Sequence, residues 1–182
     1  MAATKWNFDP VHSNIAFSVR HMMIARVHGH FTKWTGTLLI DDDKPENSSI
    51  EVDIDAASIA TKEQQRDDHL RSADFLHAEQ YPTLTFRSTR VEKVDDEHFK
   101  VNGDLTIRGV TRPVVLDVEY FGRSKDPWGG ERVGFSGKTS IQRKDFNLTF
   151  NIPLEGGGVV VGEKVDIVLD IQAVKETSAA AA

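Results

Sequence analysis

This sequence of 182 residues predicts an all-β, antiparallel fold of about eight strands, built as a closed barrel or a sandwich. Three observations carry that. Apolar and polar residues alternate with a period of two from one end of the chain to the other. Turn signals separate most of the alternating segments. The connections they mark are too short for parallel pairing, which needs a crossover of about a dozen residues or more.

The segments follow in order. Ile15, Phe17 and Val19 face one way, with Asn14, Ala16, Ser18 and Arg20 the other. Strands near 26–32 and 35–41 come next, and Asp41-Asp42-Asp43-Lys44-Pro45 turns the chain. Ile50, Val52 and Ile54 then alternate with Glu51, Asp53 and Asp55. Residues 61–76 break the pattern. Thr61-Lys62-Glu63-Gln64 reads as a capping box, Leu70, Ala73 and Leu76 follow at helical spacing, and Tyr81-Pro82 closes the insertion. One helical excursion is predicted there. Alternation resumes at Leu84 and Phe86, turns at Lys93 to Asp96, and continues through Phe99, Val101, Leu105 and Ile107. Gly109 to Thr111 turns into Val114, Leu116, Val118 and Tyr120, and Asp126 to Gly130 turns into a strand near 131–143. Gly156-Gly157-Gly158 is a flexible turn and no phosphate loop, because no Lys-Ser/Thr follows it. Val165, Ile167, Leu169 and Ile171 give the clearest alternation of all.

Gly103 and Gly137 fall on the apolar phase of their strands. A glycine there marks a bulge or sharp bend, or leaves room for a ligand. Eight strands is also the size at which a barrel can hold one small ligand.

Composition narrows the function classes. A net charge of -6 with no basic block argues against a nucleic-acid partner. Without cysteine, disulfides and thiolate chemistry are excluded. No apolar run approaches the roughly 20 residues of a membrane-spanning helix, and the start lacks the charged and apolar regions of a signal peptide. The chain as given is expected in the cytoplasm, or in the periplasm if a signal was removed before residue 1. One domain is expected over 1–175, with a disordered tail at 176–182.

Longer motifs go further than periodicity. Asp9-Pro-Val-His12-Ser13-Asn14-Ile15-Ala16-Phe17-Ser18-Val19-Arg20-His21-Met22 and Val27-His28-Gly29-His30-Phe31 resemble the opening of the YceI-like family of polyisoprenoid-binding, lipocalin-like proteins. Asp68 to Leu76, Tyr81 to Phe86, Gly103 to Val114, and Gly134 to Gly137 with Ile141 to Phe146 resemble later parts of the same family, in the same order. The likeness covers roughly residues 5–174. One departure is Asn147, where the family has glycine; asparagine tolerates the left-handed backbone better than most residues.

The resemblance implies an eight-stranded antiparallel lipocalin-like barrel with a helix across one side. It implies a lumen for isoprenoid chains, isoprenoid quinones or fatty amides, with storage, transport or stress-related roles. The expected partner is therefore a long-chain isoprenoid or similar lipid, with no nucleic acid and no stable membrane insertion; homodimerisation stays open. The inward phase supplies the ligand-binding candidates: Phe17, Val19, Leu84, Phe86, Val101, Leu105, Ile107, Leu116, Val118, Phe135, Ile141, Ile167 and Leu169. Leu70, Phe75 and Leu76 form a candidate lid over one mouth. His21 continues the inward phase and is the candidate contact for a polar head.

Catalysis, metal and cofactor are not expected. His28, His30, His69, His77 and His98 match no metal-ligand set and read as surface or hydrogen-bonding histidines. Asp9, His12 and Ser13 lie too close in sequence for a triad whose members come from separate elements, and read as a turn. Arg143 and Asp145 read as a structural ion pair or turn. Two alternatives remain: an enzyme acting on an isoprenoid-like lipid, and a stress-related β-domain with a filled core.

Overall fold

The structure is a computed structural model that describes residues 3–177. Its strands are β1 (Thr4–Phe8), β2 (Asn14–His21), β3 (Ala25–Phe31), β4 (Trp34–Ile40), β5 (Ser49–Asp55), β6 (Ile59–Ala60), β7 (Thr83–Lys93), β8 (His98–Ile107), β9 (Val110–Lys125), β10 (Glu131–Gln142) and β11 (Val161–Lys175). One helix, α1 (Gln64–Arg71), lies between β6 and β7. All pairings are antiparallel.

These segments make eight staves of a closed barrel. β1 and β2 lie end to end along β11, which pairs with β2 through Val161–Asp170 and with β1 through Ala173–Lys175. β3 runs on into β4 and β5 into β6 in the same way, because β1 pairs with β4, β2 with β3, β4 with β5 and β3 with β6. β7 to β11 are single staves, and the contact of β11 with β1 closes the ring. Closure leaves no free edge along the staves, which settles barrel against sandwich.

The break between β1 and β2 is built by Asp9. Its carboxylate caps the turn Pro10–His12 by accepting the Val11 N–H at 3.0 Å. The same carboxylate accepts from His12 Nδ1 at 2.8 Å and from Arg132 Nη1 at 2.7 Å, tying the kink to β10. Ser13 Oγ donates to the Gln172 carbonyl and accepts the Gln172 N–H, so it engages β11 and not His12. The three residues form a turn.

Burial pushes the Asp9 carboxyl up, but the hydrogen bonds from His12, Arg132 and Val11 outweigh it and hold the pKa at about 2, below 3.8. Asp166 is held at about 2 by hydrogen bonds from Ser140 and Arg26, against burial. A depressed carboxyl binds its proton less readily folded than unfolded, so its stabilisation is present above pH 3.8 and is lost as pH falls toward 2. The urea midpoint is expected to fall through that window, and Asp9→Asn to flatten the fall. A variant with the slope of the wild type would remove Asp9 from the account.

The insertion departs from expectation in detail. Lys62 takes a positive φ of 67°, so the helix cannot start from Thr61. Glu63 is the N-cap, accepting from the N–H groups of Gln65 and Arg66. Thr61 is buried instead, donating its N–H and Oγ1 to Asp67 at 2.8 and 2.5 Å. The helix stops at Arg71, and Ala73 and Leu76 lie in the turns after it. At the C-terminal end, Glu176 donates its N–H to the Lys5 carbonyl, and 178–182 of the expected tail lie outside the described residues.

Two turns obey their residues. Arg108 and Gly109 both have positive φ (50° and 74°) and join β8 to β9 as a two-residue hairpin, the geometry that matches strand twist. Asn147 sits at φ 59°, ψ 25°, the left-handed conformation that the asparagine tolerates.

Candidate functional site

The inward faces enclose two adjoining cavities. The upper, of about 280 Å³, lies toward the end carrying the 41–48 and 94–97 connections. The lower, of about 180 Å³, lies toward α1 and the 143–160 segment. Ile50, Leu116 and Leu169 line both, so these three side chains form the waist between them. Space of this kind inside the barrel speaks against the filled-core alternative.

The lower cavity brings together Phe17, Val19, Leu70, Phe75, Leu76, Leu84, Phe86, Leu105, Ile107, Leu116, Ile141, Ile167 and Leu169. The upper gathers Val101, Leu116, Val118, Phe135 and Leu169. His21 is the exception. It ends β2, pairs with Ala25 and Val161, and is exposed. The stave outruns the cavity there, so the inward phase no longer points into a lumen.

The same phase holds further lining residues outside the candidate set: Ile15, Val52, Ile54, Val114, Val165 and Ile171 below, and Leu38, Phe99 and Tyr120 above, while Val91 joins the upper lining only through the register shift between Ser88 and Arg90. Their alternation was readable. The rim of the upper cavity, made by Asp41, Asp42, Lys93, Asp96 and Arg123, was not. Arg123 pairs there with Asp42 and stacks over the ring of Trp6, which is wholly buried.

The two inward glycines have different jobs. A Cβ on Gly103 would lie 2.4 Å from Phe86 Cζ and 2.7 Å from the Arg87 carbonyl oxygen. Gly103 therefore seats the Phe86 ring, opposite a register shift between Ser88 and Arg90, and opens no cavity. A Cβ on Gly137 would meet nothing nearer than Leu169 Cδ1 at 3.6 Å. Gly137 lines the upper cavity and leaves space there.

The floor of the lower cavity holds one cation. Arg143 is 4% exposed. Its guanidinium donates to the carbonyls of Gly162 (2.8 Å), Leu148 (2.7 Å), Phe150 (3.1 Å) and Val161 (3.2 Å). Arg143 and Asp145 share the 3-10 turn Arg143–Phe146, the second of the two expected readings, and no ion pair joins them because the Arg143 side chain turns inward to the carbonyls of the 148–162 segment. Burial pushes its pKa below the usual arginine value, opposed by the charge of Glu163.

The candidate lid is fastened. Arg108 Nη1 donates to the carbonyls of Ala73 and Phe75, both at 2.7 Å, and Arg71 donates to those of Ala57 and Ile59. His69 meets Asp74 and the rings of Phe75 and Phe150, His77 meets the ring of Tyr81, and His98 meets Asp95. Among the described residues no group of three or more His, Asp or Glu side chains is placed to hold a metal ion.

The family model for the YceI-like domain matches residues 6–173. Protein YceI of Escherichia coli O157:H7 is 36% identical over 165 residues, 91% of this chain and 83% of the relative. BcnA of Burkholderia cenocepacia superposes with a TM-score of 0.79 at 23% identity, covering 91% of this chain and 99% of that one. A polyisoprenoid binding domain from Saccharophagus degradans, implicated in plant cell wall breakdown, superposes at 0.66 with 15% identity, covering 94% and 98%. At those identities the two structures speak for the barrel.

Proposed function

The chain belongs to the YceI-like domain family, and on that premise we propose that it is a non-catalytic carrier or store for a long apolar lipid held in the lumen. The observation that carries this reading is the lower cavity, whose walls are almost entirely aliphatic and aromatic side chains. Cavities of that kind and size stay dry and take apolar guests. Each ~100 Å² of ligand surface moved from water into them contributes about 2.5 kcal/mol.

A chain-like ligand suits the shape better than a compact one. Rotation of the three waist side chains, Ile50, Leu116 and Leu169, would join the two spaces into one tunnel. A polyisoprenoid, an isoprenoid quinone or a fatty amide fits: a tail in the tunnel and any polar head at the charged upper rim. Catalysis on such a lipid would need a nucleophile or base inside the lumen. The polar side chains of the lower cavity are Thr139 and Arg143, and the Arg143 donors are committed to backbone carbonyls.

The test is native purification, extraction into organic solvent and mass spectrometry against a matched blank. A stoichiometric polyprenyl compound, quinone or long-chain amide is the expected result. Full occupancy by a small polar metabolite would sink the reading.

A further inference from the structure

The hairpin between β2 and β3 breaks the rules for a tight turn. Met22 and Met23 stand at φ 51° and 66°, left-handed positions that favour Gly, Asn or Asp. Strain of that sort persists only where something else requires the residues. The side chains are also misplaced for a soluble turn: Met22 is 44%, Met23 48% and Ile24 87% exposed. Ile152 is 52% exposed on the segment beside them, which the Met22 N–H joins through the Val160 carbonyl. The result is a bulky apolar tip at the lower end of the barrel.

Next to that tip stands a pair of arginines. Arg20 and Arg26 stand directly opposite each other on β2 and β3, a like-charge pair that costs stability. Arg26 is neutralised by Asp166 at 2.8 Å, while Arg20 is exposed and has no hydrogen bond or ion pair among the described residues. Nearby acids do not answer it. Asp166 is held by Arg26 and Ser140, Glu163 accepts the Lys144 N–H, and Glu155 is exposed on the glycine-rich turn. Flexible methionines beside an unanswered arginine match a surface that is apolar within and anionic at its face.

We infer that the Met22–Ile24 tip docks the protein on the surface of an anionic phospholipid bilayer, with the tip among the acyl chains and Arg20 on headgroup phosphate. The contact proposed is peripheral, made by the hairpin tip alone; among the described residues no helix is long and apolar enough to cross a membrane. Docking sets the lower cavity against the bilayer, because Val19 and Val161 line that cavity two residues or fewer from the hairpin contacts. The inference does not rest on lipid carriage, since docking is read on the protein whatever its lumen holds.

The experiment is co-sedimentation of the whole chain with vesicles of phosphatidylcholine, with and without phosphatidylglycerol. The wild type is expected to pellet with the anionic vesicles and far less with the neutral ones. The double variant Met22→Asn, Met23→Gly gives the turn the residues it favours but loses the Met23 packing on Gly158, so urea unfolding is read beside its binding to confirm that the barrel is intact. Its vesicle binding is expected to fall about tenfold or more. Arg20→Gln is expected to lose about fivefold, on anionic vesicles alone. A wild type that pellets with neither vesicle, or equally with both, overturns the inference. So does a double variant that binds like the wild type.

Discussion

Replacing Arg143 by leucine is expected to cost about 3–5 kcal/mol of folding stability, an effect of the size seen when one side of a buried charged contact is removed. The guanidinium satisfies four backbone carbonyls, those of Leu148, Phe150, Val161 and Gly162. Leucine matches the apolar wall but leaves these acceptors without their donor, at about 1–3 kcal/mol each where water does not replace it. Exchanging a buried ion pair for apolar residues is often harmless because both partners go. Here the partners are main-chain groups and stay. Arg143→Lys is expected to recover less than half of the loss, since an ammonium on a single stem cannot span carbonyls on both sides of a loop. Thermal melting checks it: a drop of about 10 °C is expected for a domain of this size. A leucine variant within 1 kcal/mol of the wild type, roughly the error of such measurements, would show that the carbonyls find other donors.

The same residue shows where reading from sequence stops. The period-two pattern located the inward phase because a strand has only two faces, and the lumen residues from Phe17 to Leu169 followed from it. Arg143 sits where that pattern ends, in the short 3-10 turn after β10. Its partners come from a segment up to 19 residues away, so no local pattern points to them. His21 fails for a related reason: alternation gives a face but no depth, and cannot say where along a stave the cavity ends. Closure of the barrel depends on the pairing of Ala173–Lys175 with Trp6–Phe8, a contact between the two ends of the chain that periodicity does not encode. Thr61 has the right type for a cap, but its hydroxyl is committed to Asp67, so the helix starts from Glu63 instead.

Gly137→Phe is expected to leave the barrel folded and to weaken lipid binding about 100-fold. The glycine lies on the inward phase of β10, and its backbone is not left-handed. A Cβ there makes only ordinary contacts, with Leu169 Cδ1 at 3.6 Å and Val118 Cγ2 at 3.7 Å. The ring would project into the upper cavity of about 280 Å³ and take up much of it. Burying the ring stabilises by about 1.5–3 kcal/mol, and crowding its neighbours costs about 1–3 kcal/mol, so the fold is near neutral. The ligand loses the same space. Excluding ~120 Å² of its surface forfeits about 3 kcal/mol, which is the stated 100-fold. Gly103→Ala is the opposite case: a single methyl in the seat of the Phe86 ring, 2.7 Å from the Arg87 carbonyl oxygen, is expected to cost about 1–3 kcal/mol with little added bulk in the upper cavity. Titration with a fluorescent polyene fatty acid reads affinity, and urea unfolding reads stability. If Gly137→Phe folds normally and binds the probe as the wild type does, the lipid does not enter the upper lumen, the single-tunnel reading fails, and the ligand is confined to the lower cavity. If affinity falls while stability holds, the loss belongs to the cavity itself, because nothing else in the barrel has changed.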